Sequence, residues 1–381
     1  MNDSNDKKKI LYIRSGPYEL SFDSYNLQEV GLGKAFCELG YDFDIIYYSK
    51  KNRDQAVNTD QNKLIIFWRK GIKILRTGLY PSVWSRKFLS KYDIVFVSEY
   101  SQLMSVIVAH RHNNVFLYNG PYYNLFKIPI MEKIYDTLFC KYINSHIKKI
   151  FTKTRMSKDF LEEKGIKNSV VTGVGLDVSK FEQEIELQSN TQNLIDKMDG
   201  HRNLLYVGSI SKRKNVEFLI KIFNVLKKDT EYKDLQLVLV GKGSESYTQY
   251  CKSQIDREYL NDVIWYEFIK NSQMKFIYNK ASIFLLPSVQ EIFGMVLLEA
   301  MYFNVPTISS RIAGSDTLIR NKENGFIVDS FDCNQWVEKC KCLLENPEFS
   351  TEVGNNAGQT IRKDYMWSSI AKKMMDYFEY S

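Results

Sequence analysis

The sequence predicts an α/β protein built from two doubly wound, Rossmann-like halves that face a central cleft. Three observations predict this class. Short apolar runs alternate with helical patterns, the signature of strands joined by crossover helices into a parallel sheet. The alternation occurs twice, separated by polar sequence that loses periodicity from about Gln183 to Gly200. A chain of 381 residues is long enough for two such cores. The expected domains are 1–180 and 181–365, with the 183–200 stretch as linker and entry to the second.

The elements follow in order. "KILYIRSG" reads as a strand, "SYNLQEVGLGKAFCELG" as a helix stopped by Gly40, and "DFDIIYY" as the next strand. Further strands are expected at "YDIVFVSE", "NNVFLYNG", "KKIFTKT" and "SVVTGVG", with helical patterns between them. The second half repeats the scheme through "NLLYVGS", "NVEFLIKIFNVLKK", "LQLVLVGKG", "SYTQYCKSQIDREY", "DVIWYEF", "NSQMKFIYNKA", "SIFLLPS", "GMVLLEAMYFN", "PTISS" and "GFIVD", then helices to the end.

Hydrophobic content of 44% and charged content of 25% are those of a soluble globular chain. No apolar run approaches the roughly 20 residues needed to span a bilayer. The start, "MNDSNDKKKILYIRSG", has charge but no apolar core with a cleavage site, so no secretory signal and a cytoplasmic location are expected. Six scattered cysteines without a C-x-x-C pair read as reduced thiols. Asp42 and Asp44 imitate an Asp-x-Asp metal motif, but they fall where a strand begins. No metal or other cofactor is expected. Charge is uneven: residues 1–177 hold 27 Lys+Arg against 18 Asp+Glu, and residues 178–381 hold 25 against 27. The basic half points to an acidic partner.

The most informative run is "LPSVQEIFGMVLLEAMYFNVPTISS", in which Glu291 and Glu299 stand eight residues apart. A strand ends in a polar turn, and a helix starts near Gly294. Strand, Gly-containing turn and helix together place free N–H groups and a positive dipole end against a phosphate. Ionised carboxyl groups beside that end are acceptors only, which suits sugar or ribose hydroxyls. The local chemistry is a pocket for something phosphorylated and polyhydroxylated, such as a nucleotide-sugar.

Taken together these segments resemble the retaining glycosyltransferases of family 4, the group 1 glycosyltransferases with the GT-B fold. The resemblance rests on "EIFGMVLLEAM", "NVPTISSRIAGSDTLI", "LYVGSISKRKN", "LVLVGKG", "VTGVGLDVSKF", "ENGFIVD" and the terminal "YMWSSIAKKMMDYFEY". It implies that residues 366–381 cross back to the first domain. It implies a donor site in which Glu291 meets sugar hydroxyls and backbone N–H groups of Phe293, Gly294, Met295 and Val296 hold sugar and phosphates. Glu299 would accept from the ribose, and Lys214 would neutralise the diphosphate, helped by Lys212 or Arg213. Gly208, Ser209 and Gly241 are carried over as donor-side positions, and Gly16 as one in the first loop. The implied reaction is front-face substitution without a metal, from a UDP- or GDP-linked donor.

Four positions depart from the family pattern. Ser209 stands where a basic residue is common, and "SFDSYN" replaces a Gly-Gly. Asn119, carried as a catalytic-site residue, stands where a histidine is frequent; it can donate to a hydroxyl but cannot act as a base. Glu267 occupies a usual glycine near the nucleobase pocket. Plain structural readings stand beside these. Glu299 also fits a solvated helix face, and Lys212–Lys214 a solvated turn before a helix that Asn215 caps. Asn119 also suits a turn before Gly120-Pro121, and Gly208 and Gly241 suit tight strand-to-helix turns.

Residues 63–91 hold eight Lys/Arg, no acid and two Trp. That composition matches a helix lying in an anionic membrane interface, peripheral on the inner face of the cell membrane; the plain alternative is a core-facing helix with a basic outer face. Four functions are weighed: transfer of a sugar from a nucleotide-sugar to a lipid-linked glycan in surface polysaccharide or glycoconjugate assembly; transfer to a small soluble sugar or sugar phosphate; nucleic-acid binding; and a non-catalytic subunit that regulates a partner transferase. The first is the leading expectation. Nucleic acid is not expected as a partner, because the positive charges are interleaved with aliphatics and no recognised module is present.

Overall fold

The computed structural model describes residues 7–20, 27–59, 62–74, 76–126, 128–182 and 185–378. The "SFDSYN" loop at 21–26 lies outside the described residues. The chain divides into two compact units, Met1–Gly175 with Met366–Ser381, and Leu176–Tyr365.

Unit 1 runs β1 (Lys9–Ile13), α1 (Gln28–Glu38), β2 (Asp42–Ser49), β3 (Arg53–Val57), β4 (Leu64–Lys70), β5 (Ile72–Ile74), β6 (Thr77–Leu79), α2 (Arg86–Leu89), β7 (Ile94–Ser98), α3 (Leu103–Ala109), β8 (Val115–Asn119), α4 (Pro129–His146), β9 (Lys149–Thr152), α5 (Arg155–Glu163) and β10 (Ser169–Val171). Its main sheet has the order β10-β9-β8-β7-β1-β2-β4-β3. Every pairing in it is parallel except that of β3 with β4. Strands such as "IVFVS" are buried along their whole length, because helices cover both faces. One face carries a layer of stacked and tilted rings of Phe36, Phe43, Phe96, Phe116 and Phe151.

The last helix, α15 (Trp367–Met375; numbered after the helices of unit 2 below), belongs to this unit and packs on α1. Trp367 fits because two glycines make room. A Cβ on Gly31 would stand 2.2 Å from its Nε1, and one on Gly175 would stand 2.4 Å from its Cδ2. Phe378 adds its ring to the aromatic layer, 5.0 Å from Phe116.

Unit 2 contains α6 (Ser179–Glu182), α7 (Ser189–Met198), β11 (Arg202–Val207), α8 (Val216–Lys227), β12 (Leu235–Val240), α9 (Glu245–Ser253), β13 (Val263–Tyr266), α10 (Met274–Tyr278), β14 (Ile283–Leu286), α11 (Met295–Tyr302), β15 (Thr307–Ser310), α12 (Ala313–Leu318), β16 (Phe326–Val328), α13 (Cys333–Glu345) and α14 (Pro347–Asp364). Its sheet is parallel, in the order β13-β12-β11-β14-β15-β16. The order reverses direction at β11–β14, the kind of switch point beyond whose strand ends ligands bind.

Within the stretch read as linker and entry to the second unit, Ser189–Met198 form α7, which buries Thr191, Leu194, Ile195 and Met198. Those positions, three, one and three residues apart, share one helical face among polar neighbours. One expectation fails. Residues 63–91 are not an interfacial helix. They form β4, the β5–β6 hairpin and the one-turn α2. In β4 the residues alternate, so Leu64, Ile66 and Trp68 go to the core. Trp68 is held inside by Gln55, which accepts from its indole N–H at 3.2 Å. The alternation of a strand buries Trp68, while Trp84, beyond the β5–β6 hairpin, is half-buried.

Candidate functional site

The site is built at the carboxyl ends of β11, β12 and β14 in unit 2. Two glycines let the first two strand ends converge. Gly208 N–H donates to the Val240 carbonyl at 2.9 Å, and Gly241 lies so close that a Cβ there would be 1.7 Å from the Gly208 carbonyl oxygen. Ser209 is exposed, and its carbonyl accepts from the Tyr206 hydroxyl at 2.8 Å. The chain then makes a single 3-10 turn at Lys212–Lys214 and leaves it through Asn215, whose φ of 56° is left-handed. The turn thereby projects its cations before α8 begins.

These cations meet the turn after β14. Val289 N–H donates to the Arg213 carbonyl at 2.8 Å, and Arg213 Nη1 donates to the Gln290 carbonyl at 2.6 Å. Glu291 Oε2 accepts from Arg213 Nη1 at 2.8 Å and is also the partner of Lys214 Nζ. Lys214 is buried, whereas Arg213 is about half exposed. Sequence separations of 77 and 78 residues vanish here, because parallel neighbours β11 and β14 end side by side.

α11 starts immediately beyond. Its N-cap, Gly294, has a φ of 83°, a conformation that few other residues adopt readily. Phe293 and Gly294 are buried, while Met295 and Val296 are partly exposed on the first turn. The N-terminus of α12 closes against the same turn: a Cβ on Gly314 would be 1.5 Å from the Phe293 carbonyl oxygen. Hydroxyls fix the neighbouring strand end. Ser310 Oγ donates to the Ser288 carbonyl at 2.6 Å, and Ser315 Oγ to the Ser310 carbonyl at 2.7 Å.

Glu299 occupies the second turn of α11 and is 1% exposed. Its Oε2 accepts from the Tyr278 hydroxyl at 2.9 Å. The solvated-face reading of Glu299 is therefore excluded. Tyr278, at the end of α10, carries no signal in the sequence and stands out only through its hydrogen bond to the buried Glu299 carboxyl group. Glu267, beyond β13, projects into solvent with Lys242 as its neighbour at 3.6 Å.

Two predicted residues, Gly16 and Asn119, belong to unit 1. Gly16 follows β1 in unit 1, where a Cβ would be 2.9 Å from the Tyr18 ring. Asn119, at the end of β8, is 0% exposed. Its Oδ1 accepts from the Tyr100 N–H at 3.1 Å, and its Nδ2 donates to the Pro121 carbonyl at 3.0 Å and to Ser157 Oγ at 2.9 Å. Both amide N–H groups are thus taken by the protein, so the donation to a sugar hydroxyl expected of Asn119 requires one of these bonds to break. Asn119 ties β8 to α5, which is the plain turn reading in a stronger form.

The arrangement offers two cations on a shared carboxylate, a helix N-terminus and a buried carboxyl group within one strand-end turn system. Residues 190–360 match the family model described as Glycosyl transferases group 1. An uncharacterized glycosyltransferase of Methanocaldococcus jannaschii is 26% identical over 204 residues, which are 51% of this chain and 49% of that protein. The chain thus spans about half the length of the curated relatives it matches. Among solved structures, a glycosyltransferase from Rickettsia africae superposes with a TM-score of 0.74 at 17% identity, covering 98% of both chains. HepE of Anabaena, solved in complex with UDP, does so with a TM-score of 0.72 at 14% identity, covering 98% of this chain and 100% of that one. The chain has the α/β fold of the GT-B glycosyltransferases, and its residues 190–360 match the group 1 glycosyltransferase family model.

Proposed function

We propose that the protein is a retaining glycosyltransferase that takes a sugar from a UDP- or GDP-linked donor and passes it to a glycan acceptor carried on lipid. The observation that carries this reading is the Lys214–Glu291–Arg213 cluster at the mouth of α11. A donor diphosphate is the natural competitor for those cations. As it takes them over, Glu291 is released from its partners and turns its oxygens to the hydroxyls of the sugar. The negative charge that grows on the leaving diphosphate is then met by Lys214, Arg213 and the positive end of α11, all in place beforehand. Such preorganisation makes a metal ion unnecessary. Glu299 takes the ribose hydroxyls, with Tyr278 orienting it, and the leaving phosphate assists deprotonation of the acceptor.

Thermal denaturation with a panel of nucleoside diphosphates tests the donor reading. UDP or GDP is expected to raise the melting temperature, and Lys214→Ala to weaken binding by about thirtyfold or more, as loss of a buried charged partner does. Glu291→Gln separates the two roles of that residue. It should bind the diphosphate at least as tightly as the native protein, because a competitor for the cations is gone. Sugar transfer should nonetheless fall by about a hundredfold or more. If no nucleotide shifts the melting temperature, the donor reading is wrong.

A further inference from the structure

The outer face of α4 combines exposed aliphatics with lysines. Ile130, Ile134 and Leu138 follow one another at four-residue spacing and are 57, 54 and 62% exposed, and Ile128 just before the helix is 54% exposed. Lys133 and Lys141 are exposed on the same side. The two acids of the helix are turned away from this face: Glu132 accepts from Lys164 Nζ at 2.9 Å, and Asp136 is also a partner of that ammonium. The face is thus apolar and cationic, with its acids neutralised on another side.

We infer that this face of α4 docks unit 1 on an anionic lipid bilayer, with the aliphatic side chains entering the headgroup boundary and the lysines reaching lipid phosphates. An aliphatic stripe bordered by cations is what an interfacial helix presents. Lysine stems can lie along the apolar layer while their ammonium groups stay at the phosphates. A protein partner fits less well: interface centres favour aromatic residues and arginine and are depleted in lysine. The exposed face of α4 has lysine and aliphatics, and its aromatic Tyr135 and Phe139 pack into the core. The charge balance agrees, since residues 1–177 hold 27 Lys+Arg against 18 Asp+Glu. The face lies outside residues 63–91, and its docking does not depend on the donor reading.

The test is co-sedimentation of the full chain with phosphatidylglycerol-containing vesicles and with phosphatidylcholine vesicles at low salt. The native protein should pellet with the anionic vesicles and be released by salt. Ile134→Ser/Leu138→Ser and Lys133→Glu/Lys141→Glu should each lower the bound fraction about tenfold or more. Their melting temperatures and their response to UDP should stay native, because these side chains are exposed; a change in UDP response alone would concern the donor site instead. The inference is overturned if the native protein stays in the supernatant, if it binds both vesicle types equally, or if the variants pellet like the native protein. It is also overturned if sedimentation equilibrium shows a native dimer that Ile134→Ser/Leu138→Ser dissociates without any vesicle binding, since a second copy would then cover the face.

Discussion

Asp44 and Glu299 show how differently two acidic side chains are treated once the chain folds. Asp44, in β2, is largely buried, and desolvation raises its carboxyl to about 6 against the opposing hydrogen bond from the Tyr92 hydroxyl at 2.7 Å. Because the folded pKa lies above the unfolded one, the stabilising contribution is complete below about pH 4 and is lost as pH rises through about 6. Asp44→Asn should therefore be more stable than the native protein at neutral pH, by on the order of 2 kcal/mol, with the difference closing in acid. Chemical denaturation across that range would measure it; a gap that is constant with pH would refute the assignment. Glu299 has a buried hydroxyl as partner, so Tyr278→Phe should cost about 1–3 kcal/mol and also weaken the nucleotide-induced shift. Sequence marked Glu299, Glu291 and Lys214 because their types and spacing suit a sugar diphosphate. It also marked Asn119, whose amide donors are taken by Pro121 and Ser157; a polar residue at a strand end looks the same in sequence whether it faces a ligand or ties down a neighbouring loop and helix.

At the scale of elements, the site depends on strand ends brought within backbone contact. Gly241→Ala should push β12 and its following loop away from Gly208, because the new methyl would sit 1.7 Å from a carbonyl oxygen that cannot rotate aside. A loss of about 2 kcal/mol or more in stability is expected, with the nucleotide shift reduced in parallel. A variant that melts and binds as the native protein does would show that the loops have slack. Most elements of both sheets were legible, since fully buried parallel strands are continuous apolar runs that few other structures produce. What was not legible has physical causes. α7 was not marked as a helix because four buried positions in a polar helix give a weak pattern. β4 was misread because its flanking basic residues suggested an amphipathic helix, while the alternation that buries Leu64, Ile66 and Trp68 is only a few residues long. The exposed aliphatic stripe that sequence sought there belongs to α4.

At the scale of the whole molecule, the last helix completes the first unit. Trp367 fills space left by Gly31 and Gly175, and Ile370, Ala371 and Met374 are buried beside it. Trp367→Ala should destabilise unit 1 by about 3–5 kcal/mol, as large aromatic truncations in cores do. A chain ending at Tyr365 should lose the ordered near-ultraviolet signal of unit 1, and unchanged melting would contradict that dependence. The sequence by itself determined the α/β class, the doubling of the strand–helix alternation and the residue types at the β14–α11 turn, because burial periodicity and turn chemistry are local properties. Only the tertiary structure decided that Arg213 and Lys214 grip Glu291, that Asn119 is internal and that α4 presents the apolar basic face. Those facts depend on which strands become neighbours and which side of a helix is left uncovered, and neither is written in any short stretch of chain.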